Sequence, residues 1–180
     1  MRIYTRKGDD GTTGLLYGGR VAKDAPAPTA YGDVDEAQAV LGLARAECAR
    51  GSELDELLIA VEGDLWVLMA ELATEPSNRH KLVDGTSLVT DAMVAALETH
   101  IDDLTERFDA PTEFVVPGQT RVGALLDVGR TVVRRAERQA LRVAVDGSYV
   151  VPYLNRLSDL LWTMARWQDG ASLTTKETRT

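Results

Sequence analysis

Residues 119–145 read QTRVGALLDVGRTVVRRAERQALRVAV, and this stretch decides the fold. At about 100° per residue, Val122, Leu126, Gly129, Val133, Ala136, Ala140 and Ala144 fall on one side, which faces a core. Asp127, Arg130, Arg134, Glu137 and Arg138 collect on an adjacent side, while Arg135 points elsewhere, toward solvent. The spacing predicts a long helix whose cationic ridge lies beside its packing stripe, placed for a cleft or a subunit interface. Guanidinium groups suit phosphate there, because they present planar bidentate donors and stay charged. The alternative is a solvated RRAER face tied by weak Arg/Glu pairs, and residue types alone leave both readings open.

Four more helices are predicted around this one by the same periodicity. The first spans about residues 33–50, with Asp33 and Glu36 spaced as a capping box and Val34, Ala37, Leu41, Ala44 and Cys48 on one face. The second, about 52–74, stacks Leu58, Val61, Leu65, Leu68 and Leu72, and Pro76 ends it. The third, about 87–108, carries Met93, Leu97, Ile101, Leu104 and Phe108. The fifth, about 152–168, turns Leu154, Leu157, Leu161 and Met164 inward after the Asp146-Gly147 break. Amphipathic helices joined by short loops make an all-α five-helix bundle. The expected organisation is a single domain over 1–180: an irregular arm at 1–30, the bundle at 31–169, and a frayed polar tail at 170–180.

Composition removes several classes of function. At 180 residues and 44% hydrophobic, the chain is long enough to bury a core without disulfides, and Cys48 has no second cysteine to pair with. The formal charge of −8 argues against a general nucleic-acid binder, so any anionic ligand must meet a local cluster of Arg and Lys. No segment has the length and apolarity of a membrane span or signal peptide, and a cytoplasmic location is expected. His80 and His100 are the only histidines, too few for a histidine-based metal centre within one chain. They read as a solvated loop residue and a helix-surface residue. There is no GxSxG, Walker A or GxGxxG signature. Reactivity, if this is an enzyme, comes from its ligands.

The arm, TRKGDDGTTGLLYGG at 5–19, is the second chemical stretch. Its glycines at 8, 11, 14, 18 and 19 let backbone N–H groups approach an anion, Thr5, Thr12 and Thr13 add hydroxyls, and Lys7 and Lys23 add charge. Asp9 and Asp10 either turn outward or sit near a magnesium ion. The plain reading is a series of turns. Positions 2–5 suggest a short extended piece with no sheet after it.

TRKGDDGTTGL in the arm, AYGDVDE at 30–36, FVVPG at 114–118, RTVVRRAER at 130–138 and YLNRLSDLLW at 153–162 occur in that order. Together they resemble the PduO-type family of ATP:cob(I)alamin adenosyltransferases, over about residues 2–167. The resemblance implies a cobalamin adenosyltransferase-like five-helix bundle, assembled as a homotrimer with active sites between subunits. It implies ATP contacts from Thr5, Arg6, Lys7, Gly8, Thr13, Gly14 and Lys23, from Arg134, Arg135, Ala136, Glu137 and Arg138, and from Asn155, with Glu137 near an ATP-bound Mg2+. The helical wheel disagrees about Arg135. The resemblance further implies that Asp35 and Arg130 pair across subunits beside the corrin, and that Phe114 displaces the lower axial ligand of cobalamin.

The implied reaction moves the 5′-deoxyadenosyl group of ATP to the cobalt of cob(I)alamin and releases triphosphate. Cob(II)alamin is the form reduced in the site, a flavoprotein reductase supplies the electron, and a B12-dependent mutase or other acceptor takes the product. Cobalt is itself the nucleophile, which fits the lack of histidine and serine machinery. On the wheel and the resemblance, Arg130, Arg134, Asp35 and Phe114 are the expected catalytic set. Three other readings stay open: a corrinoid carrier or delivery protein for a B12-dependent mutase, a helical scaffold without a ligand, and a different ATP-using transferase on the same bundle. The sequence departs from the family pattern at Asp127 (often His), Gln119 (often Gly) and Gly129 (often Ala), changes that bear on the corrinoid side. Phe114 as a packing anchor, Asp35 as a helix-terminus acid, Asn155 as a cap, and Trp66, Trp162 and Trp167 as core or interface residues are the plain readings of those positions.

Overall fold

The computed structural model describes residues 3–179. Its α-helices are α1 (Pro26–Ala46), α2 (Glu53–Leu72), α3 (Asp91–Thr105), α4 (Arg121–Ala140) and α5 (Val150–Asp169), with 3-10 turns at Pro76–Lys81 and Glu177–Arg179. Helix α4 lies between α1 and α5, while α2 packs on α1 and α3 on α5. Their inward faces merge into one cluster, in which Val34, Leu41, Leu65, Leu126, Val133 and Leu161 are fully buried.

Helix α1 begins seven residues earlier than its periodicity predicts. Pro26 and Pro28 fall in its first turn, where N–H groups have no helical partner and a fixed φ favours the helix. Asp33 is therefore inside α1 and forms no capping box; Ala25 takes the cap position without a side-chain bond. Three of the other four starts are conventional, and α5 follows Tyr149 without a side-chain cap. Ser52, Thr90 and Thr120 accept N–H bonds from Asp55, Met93 and Gly123. Helix α4 ends at Ala140, short of the predicted Val145, and Gly147 makes the turn into α5 at φ 78°.

The arm holds a small hairpin, contrary to the expectation of no sheet. Strands β1 (Thr12–Gly14) and β2 (Arg20–Ala22) run antiparallel, with Thr13 opposite Val21. Gly18 and Gly19, at φ 100° and 90°, make the reversal. The Leu16 N–H donates to Ala73 O at 2.9 Å, which fastens the hairpin to the end of α2. Ile3–Thr5 pair with no strand, and Arg2 of the expected extended piece lies outside the described residues.

The polar tail also departs from expectation. Val116 N–H donates to Leu173 O at 2.8 Å and Thr175 N–H to Phe114 O at 2.9 Å, so the segment after Gly170 is bonded to the 111–118 loop. Inside the bundle, buried Glu71 accepts from Arg79 (2.7 Å), Val89 N–H (2.7 Å) and Ser148 (2.6 Å), joining the end of α2 to both following loops and to the α4–α5 turn. Trp66 is 64% exposed and, with Leu43 and Ile59, stays outside the core of this chain, whereas Trp162 and Trp167 are half-buried.

Gly123 sets the approach of α4 to α5. A Cβ there would run into the Asp169 carboxylate, which accepts from the Thr120 N–H (3.1 Å) and hydroxyl (2.8 Å). Gly123→Ala should therefore destabilise the fold by about 1–3 kcal/mol, read as a melting temperature lower by several degrees. An unchanged melt would show that Asp169 can move aside at no cost.

Candidate active site

Three patches carry the candidate residues. The first is the arm. Arg20 knits it: its Nη2 donates to Lys7 O and to Thr12 Oγ1, both at 2.5 Å, and its Nε to Thr12 Oγ1 at 3.0 Å. Asp10 accepts from the Thr12 hydroxyl and N–H, which, with Arg20 nearby, hold its carboxyl below the usual range. Asp10 is thus committed to the loop itself. Arg6 has φ 61°, a backbone conformation rare outside glycine. A Cβ at Gly8 would meet Lys23 Nζ at 3.1 Å, so the glycine makes room for that ammonium. Thr5, Lys7 and Gly14 are exposed and Thr13 half-buried. Arg20 went unnoticed in the sequence; a Thr-rich loop closed by a cationic residue eight positions later is the signal that would have found it.

The second patch is the ridge of α4. Arg134 and Arg138 are exposed, and Arg138 Nη1 donates to Arg134 O at 2.9 Å. Among the described residues the guanidinium of Arg134 and the ammonium groups of Lys7 and Lys23 have no carboxylate partner, in a chain of net charge −8. Asn155 of α5 donates to Glu137 at 3.1 Å and fixes that carboxylate across the helix pair. Arg135 faces α1, where it pairs with Glu36 and with Asp33 (3.5 Å), and the Glu36 bond raises its pKa first among several causes. The wheel put Arg135 off the ridge correctly but left it in solvent; α1 supplies the acids that engage it. Ala136 is fully buried, so its side chain packs.

Asp127 is the main correction on this helix. It was expected on the exposed ridge and is 5% exposed, bonded to Arg166 Nη2 at 2.6 Å. Its other oxygen takes Arg130 Nε at 3.4 Å. Gly129 lies where a Cβ would be 2.9 Å from Leu41, which gives close α1–α4 packing as the reason for glycine. Asp35 is exposed on α1 and makes no ion pair with Arg130 within the chain.

The third patch surrounds Phe114. The ring is 87% exposed and forms, with Pro111, Glu113, Trp162 and Thr175, the wall of an open cleft of about 620 Å³. Phe114 is therefore not packed as an anchor within its own chain. No hydrogen bond or ion pair joins the arm at residues 5–14 to the ridge at 130–138 among the described residues. Within one chain no such bond links the predicted ATP residues of the arm to those of α4, and Phe114 belongs to the third patch.

The comparisons with known proteins agree on one family. The cobalamin adenosyltransferase family model matches residues 3–168. The corrinoid adenosyltransferase of Mycobacterium tuberculosis H37Rv is 42% identical over 171 residues, covering 92% of this chain and 87% of that one. Corrinoid adenosyltransferase PduO of Salmonella typhimurium is 36% identical over 94% of this chain, which spans 50% of that longer protein. A variant of the PduO-type ATP:corrinoid adenosyltransferase of Lactobacillus reuteri, solved with cobalamin and ATP, superposes with a TM-score of 0.85 at 27% identity, covering 97% of this chain and 99% of that one. With a five-helix bundle, an arginine ridge on α4 and an exposed aromatic beside a cleft, the chain belongs to the cobalamin adenosyltransferase family.

Proposed function

We propose that the chain transfers the 5′-deoxyadenosyl group of ATP to the cobalt of cob(I)alamin, releasing triphosphate. The observation that carries this reading is three exposed cations, Lys7 and Lys23 on the arm and Arg134 on α4, that have no carboxylate partner among the described residues of an acidic protein. Such groups are free to meet a polyphosphate and are suited to one. In the reaction the cobalt electron pair attacks C5′, a Co–C bond forms, and the C5′–O bond breaks with its electrons leaving on triphosphate. No proton needs to move, so no protein base is required.

The chain's residues then have three tasks. Thr5, Arg6, Gly8, Thr13, Gly14 and the ammonium groups of Lys7 and Lys23 bind the phosphates through the arm. Arg134 neutralises charge as it develops on the leaving group, with Arg138 beside it. Asn155 holds Glu137 in place, and that carboxylate is positioned to bind a magnesium ion carried by ATP. Magnesium would add charge neutralisation on the triphosphate. Phe114 presents its ring to the lower face of the corrin, where it excludes the axial ligand and water and favours a cobalt that is easier to reduce.

In this reading the arm of one subunit completes the site on the α4 ridge of its neighbour in a homotrimer, with Asp35 of one subunit facing Arg130 of the next. An external flavoprotein supplies the electron, and a B12-dependent enzyme such as a mutase takes the product. The reading places the protein in the cytoplasm; no helix among the described residues is long and apolar enough to cross a membrane. Sedimentation should show a trimer whose dilution into monomers abolishes activity. A fully active monomer would contradict the shared site. Repeated turnover with ATP in excess over protein separates the enzyme from a corrinoid carrier, which would stop after one bound equivalent.

A further inference from the structure

We infer that a buried ion chain, Asp169–Arg166–Asp127, positions Arg130, making Arg166 and Asp127 positioning residues for the corrinoid half of the site. The inference rests on the proposed function only for what Arg130 touches. The geometry of the chain stands on its own.

Arg166 is 2% exposed on the inner face of α5, among mostly apolar neighbours on that helix. Its Nη2 bridges two carboxylates, Asp127 Oδ2 at 2.6 Å and Asp169 Oδ2 at 3.0 Å, and its Nε is buried without a partner. A guanidinium with an unsatisfied buried N–H is held by its acids rather than by its own full complement of bonds. Asp169 is anchored in turn by the Thr120 N–H and hydroxyl at the start of α4. Asp127 is therefore fixed from one side, and its remaining oxygen faces Arg130 Nε at 3.4 Å. The four ionised groups sum to zero: two carboxylates and two guanidiniums. Removing the charge of Asp127 leaves two guanidiniums with the single carboxylate of Asp169.

The same arginine reaches the cleft. Its guanidinium lies 5.9 Å from the Trp162 ring centre, and Trp162 is a wall of the cleft that Phe114 borders. One buried cation thus contacts both the holder of Arg130 and the cleft wall. A purely structural tie between α4 and α5 would need neither the second oxygen of Asp127 bonded to Arg130 nor the approach to the Trp162 ring.

The isosteric change Asp127→Asn tests this with two readouts on the full-length protein. Nitrogen-detected NMR of the arginine Nε–H groups, without ligands, should show the Arg130 signal exchanging faster with water in the variant. Steady-state assays should show KM for cobalamin raised about tenfold, the worth of one charged hydrogen bond, with KM for ATP unchanged. Arg130→Ala should raise the cobalamin KM as well, and adding Asp127→Asn to it should cost nothing more. If Asp127→Asn does not fold, Arg166→Lys, which keeps the charge and loses the fork, should give the same corrinoid-selective loss. An unchanged Arg130 exchange rate, equal loss toward ATP, or additive losses in the double variant would overturn the inference. Faster Arg130 exchange in Asp127→Asn, together with a wild-type protein that makes no adenosylated product, would instead refute the functional reading and leave the ion chain intact.

Discussion

Arg134→Ala should lower kcat/KM by about 2–4 kcal/mol, some 30- to 1000-fold, while Arg135→Ala leaves it nearly unchanged. The two arginines are neighbours in sequence and differ in what they face. Arg134 is exposed on the ridge without a carboxylate partner, and its charge is available to a leaving triphosphate. Arg135 is engaged by Glu36 and Asp33 of α1. Its pair is 40% exposed on the arginine side, so truncation should cost under about 1 kcal/mol of stability. Assays of both variants beside thermal melts check this. Equal kinetic losses would place Arg135 in the site and show that the α1 acids release it when ATP binds.

Phe114→Ala should leave the melting temperature and ATP binding intact and nearly abolish adenosylation that starts from cob(II)alamin. A buried phenylalanine would cost about 3–5 kcal/mol of stability on truncation, but this ring is 87% exposed and contributes little to the core. On the proposed function its role is in the cleft. With the ring gone, water or the axial ligand returns to cobalt and the harder-to-reduce form prevails. Spectra of bound cob(II)alamin should lose the four-coordinate signature. Adenosylation of cobalamin already reduced to cob(I) should fall far less. A variant that melts several degrees lower yet keeps the four-coordinate spectrum would make Phe114 a structural residue.

The bundle was legible because its helices obey local rules. Leu58, Val61, Leu65, Leu68 and Leu72 repeat at alternating spacings of three and four, and each is buried on α2. Local rules failed where position within an element changes a residue's meaning. Pro26 and Pro28 resemble loop residues, yet in a first turn they begin a helix. The strands of the arm, three residues each, are too short for alternation to show, and their loop is held by Arg20. The ridge of α4 was half legible. Arg130, Arg134, Glu137 and Arg138 share a side as the wheel predicts, but the wheel cannot foresee that Arg166, on another helix, draws Asp127 inside. Long-range charge pairing leaves no period in the sequence. The exposure of Phe114 was equally hidden, because an aromatic in a short loop is compatible with an anchor or a wedge until the fold decides.

The most direct test of adenosyl transfer is an anaerobic incubation of the protein with cob(I)alamin, ATP and magnesium, following the cobalt spectrum and the phosphate product together. The account predicts adenosylcobalamin and triphosphate in equal amounts over many turnovers. Diphosphate as the product, or bound corrinoid that never acquires a Co–C bond, would contradict it.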